Sequence, residues 1–140
     1  MSARNPPSVR VRLDFSADRS VGPGKIDLLE KIESSGSLSA AARALGLSYR
    51  RAWLLLDDLN RSFTGPVATT SKGGSNGGGA ALTALGRRLI DDYRGVERAA
   101  TLAARRRFRT MLPDGATGAT TTAALRTSVR RPILRRARPR

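Results

Sequence analysis

The sequence predicts a mainly helical fold with a small β component, on three observations. Apolar residues recur at helical spacing in four stretches between Lys25 and Arg107. Glycines at 36, 46 and 65 punctuate those stretches, the last followed by Pro66. Two short runs, Val9–Phe15 and Val67–Ser71, have the alternation or β-branching of strands. At 140 residues there is room for one domain and its tails.

In chain order, Val9, Val11, Leu13 and Phe15 alternate with Arg10, Arg12 and Asp14, giving a strand with one buried face. Residues 1–8, which include Pro6 and Pro7, are expected to be a disordered start. After Gly22-Pro23-Gly24, a helix from about Lys25 to Ser34 sets Ile26, Leu29 and Ile32 on one stripe, and Gly36 ends it. Ser37 caps a second helix carrying Leu38, Ala41, Ala42 and Leu45, whose small alanines permit close packing. Gly46 stops it. Ser48 caps a third helix, from Tyr49 to about Phe63, with Ala52, Leu55, Leu56, Leu59 and Phe63 inward and Trp53 on a bordering stripe, read as core. The three helices share one core.

Gly65-Pro66 breaks the pattern before Val67–Ser71, a glycine-rich run from Lys72 to Gly79, and the return Ala80-Ala81-Leu82, together a β-hairpin. Thr83 then caps a long helix from Ala84 to about Arg107. In it Leu82, Gly86, Leu89, Tyr93, Val96, Ala100 and Ala103 step by four and three, the spacing of a coiled-coil seam. Leu89, Tyr93, Val96, Ala100 and Ala103 are therefore expected to join two copies of the chain. The predicted architecture is a winged helix-turn-helix over residues 9–83: a three-helix core, a short N-terminal strand and a β-hairpin wing. A dimerisation helix over 84–112 and a disordered basic tail over 113–140 follow.

Composition narrows the chemistry. The formal charge is +15, and from Arg98 to Arg140 there are 12 arginines against the single acid Asp114, so +11 of it lies in that stretch. Such a balance favours a polyanionic partner. With no cysteine and no histidine there is no disulfide, no thiol nucleophile, no zinc-finger site and no imidazole base. Asp57-Asp58 and Asp91-Asp92 are adjacent in helices, so each pair diverges by about 100° and cannot converge on one substrate atom. No catalytic, cofactor or metal site is expected. No apolar run approaches the roughly 20 residues that span a bilayer, and the N-terminus does not read as a signal peptide, so a cytoplasmic location is expected.

With these elements in order, the stretch from Gly24 to about Glu97 resembles the DNA-binding domain of ModE-type molybdate-responsive regulators, itself similar to LysR-type winged helices. The resemblance rests on Leu28-Leu29-Glu30-Lys31-Ile32, on Gly36-Ser37-Leu38-Ser39-Ala40-Ala41-Ala42 and on Leu47-Ser48-Tyr49-Arg50 with Ala52-Trp53. Asn60, Gly73-Gly74, Gly77-Gly78-Gly79-Ala80 and Leu82-Thr83 with Gly86 extend it. It implies double-stranded DNA as partner and bacterial transcription regulation as role. Two departures stand out. Thr70 occupies a wing position where the family carries an arginine, and nothing after Phe108 alternates as the strands of the family's molybdate-binding β-barrels would.

Arg50 and Arg51 sit in the first turn of the third helix, where a guanidinium grips guanine O6 and N7 or a phosphate. Ser37, Ser39 and Ser48 stand at helix starts, positions suited to capping and to phosphate contact, and Tyr49 is placed to reach the DNA backbone or the wing. Leu54 follows Arg50 on the outward face, where it suits a thymine methyl or is simply solvent-exposed. In the wing, Lys72, Gly73, Gly74, Ser75 and Asn76 are the candidate backbone contacts, a flexible hairpin tip being the plain alternative. A phosphate-cradling nucleotide loop is excluded, since Lys72 precedes the glycines and no Gly-Lys-Ser/Thr leads into the next helix. The arginine-rich tail suits non-specific DNA affinity or solubility, with an anionic membrane as a third target that two apolar residues among arginines would enter poorly. Beside the dimeric, sequence-reading regulator, two further readings fit: a nucleoid-type protein with little sequence preference, and an adaptor pairing with a separate sensor protein.

Overall fold

The computed structural model describes residues 7–71 and 78–111. Its elements run β1 (Leu13–Ser16), β2 (Arg19–Val21), α1 (Pro23–Ser35), α2 (Leu38–Ala44), α3 (Tyr49–Ser62), β3 (Ala68–Thr70), β4 (Ala80–Leu82) and α4 (Ala84–Phe108). The architecture is the mainly α winged helix-turn-helix with a long final helix. The disorder expected of residues 1–8 and 113–140 concerns segments lying largely or wholly outside the described residues.

Helix α1 is the centre of the fold and packs on α2, α3, α4 and β4. Its Ile26, Leu28, Leu29 and Ile32 are all fully buried. Leu28 lies outside the stripe read from the sequence, and it is buried because neighbours cover α1 on more than one side. Burying a side chain of this size contributes about 1.5–3 kcal/mol. Gly36 closes α1 with φ 73°, a left-handed conformation that suits glycine, and its carbonyl accepts the Ala80 N–H at 2.8 Å, tying the helix end to the wing.

The first strand begins later than the alternation predicts, and it has a partner that the sequence reading missed. β1 pairs antiparallel with β2, Leu13 opposite Val21. Val9 and Val11 keep the alternation as half-buried residues, but the Val11 carbonyl accepts the Tyr93 hydroxyl at 2.6 Å. This leg of the chain is therefore tied to α4 at Tyr93. Phe15 is not on a buried face: it is 57% exposed and meets Phe63 edge to face.

α4 is fastened at its start and middle. Thr83 caps it, its hydroxyl oxygen accepting the Gly86 N–H at 3.1 Å and donating to the Pro66 carbonyl at 2.7 Å. A Cβ at Gly86 would collide with the Val67 carbonyl oxygen, so only glycine lets the helix approach the base of the wing this closely. Arg94 bonds Glu30 at 2.7 Å, Asp27 at 3.1 Å and Glu97 at 2.7 Å, and these carboxylates raise its pKa further. Tyr93 is a correction to the predicted seam. Only 1% exposed, its ring belongs to the chain's own core and has no free face for a second copy. Leu89 also packs against that core, half-buried, while Val96 and Ala103 are exposed.

Candidate nucleic-acid interface

The α2–α3 pair is built by two serine caps and a glycine turn. Ser37 Oγ accepts the Ala40 N–H at 3.0 Å, and Ser48 Oγ accepts the Arg51 N–H at 3.1 Å. Between them Gly46 takes φ 66°, the left-handed geometry that turns the chain out of α2. Buried Ala41 and Ala42 let α2 lie close to its neighbours, and Ala52, Leu56 and Leu59 seat α3 at 3% exposure or less.

That seating fixes what α3 presents to solvent. Ser48, Tyr49, Arg50, Arg51, Trp53 and Leu54 are all exposed, as is Ser39 on α2, while Ser37 is half-buried. Arg50 and Leu54, four residues apart, lie on the outermost line of the helix. Arg51, about 100° round from Arg50, borders an open cleft of about 490 Å³ that Arg12, Lys25, Leu47 and Leu55 also line. The two arginines thus face different ground.

Charge is distributed unevenly along α3. Its first turn holds no acid, and among the described residues neither Arg50 nor Arg51 has a carboxylate partner. The acids further on are engaged, Asp57 by Arg61 and Asp58 by Lys25. Lys25 Nζ also donates to the Ser20 carbonyl at 2.8 Å, which joins α3, α1 and β2 in one network. Together with the positive end of the helix dipole, the N-terminal half of α3 is left attractive to anions.

Trp53 departs from its reading as core: it is 47% exposed. The reason is the placement of the wing. Asn60, two turns further along the same flank, accepts the Val67 and Ala68 N–H groups at 2.9 and 3.2 Å and donates to the Ala68 carbonyl at 3.1 Å. The wing base therefore covers the far end of that flank and leaves Trp53 open. Asn60 is a positioning residue that site reading of the sequence passed over. Its signal was an amide on the stripe bordering the buried one, just before Gly65-Pro66.

In the wing, β3 pairs antiparallel with β4, Ala68 opposite Leu82, and buried Ala68, Ala80 and Leu82 hold it to the core. Thr69, Thr70 and Ser71 are exposed on its outgoing strand. Ser71 N–H donates to the Gly79 carbonyl at 2.8 Å, continuing the ladder. Lys72, Gly73, Gly74, Ser75 and Asn76 lie outside the described residues. No described helix is long and apolar enough to cross a membrane.

No family model matches the chain. It is 44% identical to the molybdenum-pterin-binding protein MopB of Rhodobacter capsulatus over 77 residues, 55% of this chain and 28% of that protein. It is 39% identical to the molybdenum transport protein ModE of Azotobacter vinelandii over 88 residues, 63% of this chain and 33% of that one. With the DNA-binding transcriptional dual regulator ModE of Escherichia coli (strain K12) it shares 41% identity over 71 residues, 51% of this chain and 27% of the relative. The chain thus spans about a third or less of the length of the curated relatives it matches. Over its N-terminal half the chain is a homologue of the ModE regulators and Mop proteins, the kinship to which the residues from Gly24 to Glu97 had pointed.

Proposed function

We propose that this chain binds duplex DNA as a dimeric transcription regulator that reads sequence, with α3 in the major groove and the wing along the phosphate backbone. The observation that carries the reading is the N-terminal half of α3, where Arg50 and Arg51 stand exposed beside Tyr49, Trp53 and Leu54 with no carboxylate partner among the described residues. A helix seated by its inner face and cationic at its outer N-terminal end suits major-groove entry. The Escherichia coli relative, a DNA-binding transcriptional dual regulator by name, supports it. Arg50, on the outermost line, is assigned to a base edge, and Arg51, at the cleft, to a phosphate. Ser37, Ser39 and Ser48 add hydroxyls at helix starts, and Lys72 to Asn76 complete the backbone contacts.

The dimer seam, with Tyr93 withdrawn into the core, narrows to Val96, Ala100 and Ala103 with Leu89 at its inner edge. Val96→Asp then yields monomers by light scattering; an unchanged mass removes the seam. The role is that of a binding protein, not an enzyme.

Selection of bound sequences by the full chain from random duplex DNA, with and without molybdate, tests the reading. A two-fold-related site is expected, equally recovered in both arms, because the resemblance assigns molybdate to β-barrels outside the matched region. The excess of 12 arginines over one acid from Arg98 onward favours a second reading, DNA coating with little sequence preference. Uniform recovery with a steep salt dependence would establish that reading instead.

A further inference from the structure

We infer that Leu54 and Trp53 read thymine 5-methyl groups, so that part of the site's sequence is specified by apolar contact and not by hydrogen bonds. This rests on the reading of α3 as the major-groove helix. Tyr49, Trp53 and Leu54 are 57%, 47% and 43% exposed and gather within the first two turns of that helix. Single exposed apolar residues are ordinary, but a cluster of large ones on one helix end marks a contact surface.

Charge selects the occupant. Leu54 follows Arg50 on the same outer line, and the acids nearest along α3, Asp57 and Asp58, are each held by a basic residue. An apolar patch beside guanidinium groups that have no carboxylate partner among the described residues fits a surface that is anionic overall and apolar only in spots. The major groove is such a surface, because its one apolar group is the C5 methyl of thymine. Leucine has no hydrogen-bonding atom with which to read any other feature of a base edge. The indole of Trp53, on the wing-side flank, extends the apolar strip, and its single N–H is a donor only, which suits an acceptor such as thymine O4.

Uracil supplies a test on the unaltered protein, since it differs from thymine only in lacking that methyl. Duplexes of the selected site are made with uracil at one thymine position at a time. Affinity should fall about fourfold at one or more positions, the worth of one buried methyl. Leu54→Ala or Trp53→Ala should abolish that sensitivity at its own position while retaining it elsewhere. Both side chains are exposed, so neither truncation opens the core. Uracil effects within about 1.5-fold at every position would overturn the inference. So would equal sensitivity in wild type and both variants, leaving the patch to a protein partner. Failure of selection to yield any site would overturn the base-reading function itself, a distinguishable result.

Discussion

Two tyrosine-arginine pairs, Tyr49-Arg50 at the start of α3 and Tyr93-Arg94 midway along α4, place the same chemistry in opposite surroundings. Tyr93 is 1% exposed with its hydroxyl on the Val11 carbonyl, and Arg94 is divided among Asp27, Glu30 and Glu97. Tyr49 is 57% exposed, and Arg50 has no carboxylate partner among the described residues. Neighbouring elements make the difference. α1 turns two carboxylates toward α4, whereas among the described residues the outer face of α3 is left exposed at Tyr49, Arg50, Trp53 and Leu54. Arginine beside tyrosine is therefore structural cement in one helix and a free surface in the other, and only the surroundings tell them apart.

The contrast is broken most severely at the tyrosines. Tyr93→Ala should destabilise the fold by about 3–5 kcal/mol, the cost of removing a buried ring. Tyr49→Ala should stay within about 0.5 kcal/mol. Urea unfolding of both variants checks this, and comparable losses would erase the distinction. Next in size, Arg94→Ala leaves three carboxylates close together without their counter-charge. It should cost about 1–2 kcal/mol, reduced because the arginine is partly exposed, while Arg50→Ala leaves the unfolding midpoint unmoved.

The smallest effect is in alkali. Burial, with the Glu97 carboxylate adding to it, holds the Tyr93 phenol above its ordinary value of 10.0. Because the folded state binds that proton more tightly than the unfolded chain, its contribution is complete below about pH 10 and is lost as pH rises through the folded value. Midpoints measured from about pH 8 to about pH 11 should therefore fall more in wild type than in Tyr93→Phe. Parallel curves would contradict the burial of that hydroxyl.

Much of this was legible in the chain itself. The caps Ser37, Ser48 and Thr83, the turn at Gly46 and the wing strands are local features, each set by a residue's own hydrogen bonds or backbone freedom, and the structure has them where the sequence placed them. The misreadings concern partners distant in sequence. Periodicity identified Tyr93 as part of an apolar stripe but could not say which surface covers it; α4 packs on α1 and β4, and the carbonyl that accepts the Tyr93 hydroxyl, that of Val11, lies 82 positions away. Trp53 failed for the converse reason, since the described base of the wing is held at Asn60, two turns further on, and Trp53 is left 47% exposed. β2 is only three residues long with one buried, too short to show an alternation. The glycine-tip residues Lys72 to Asn76 lie outside the described residues, so their part in the interface rests on the proposal.

The central claim is that α3 reads bases through Arg50. Affinities of wild type and Arg50→Ala for the selected duplex and for a scrambled duplex, at one salt concentration, test it most directly. Base reading requires a loss of about 1–3 kcal/mol on the selected duplex and little change on the scrambled one. An equal loss on both would make Arg50 one more phosphate contact and contradict the claim.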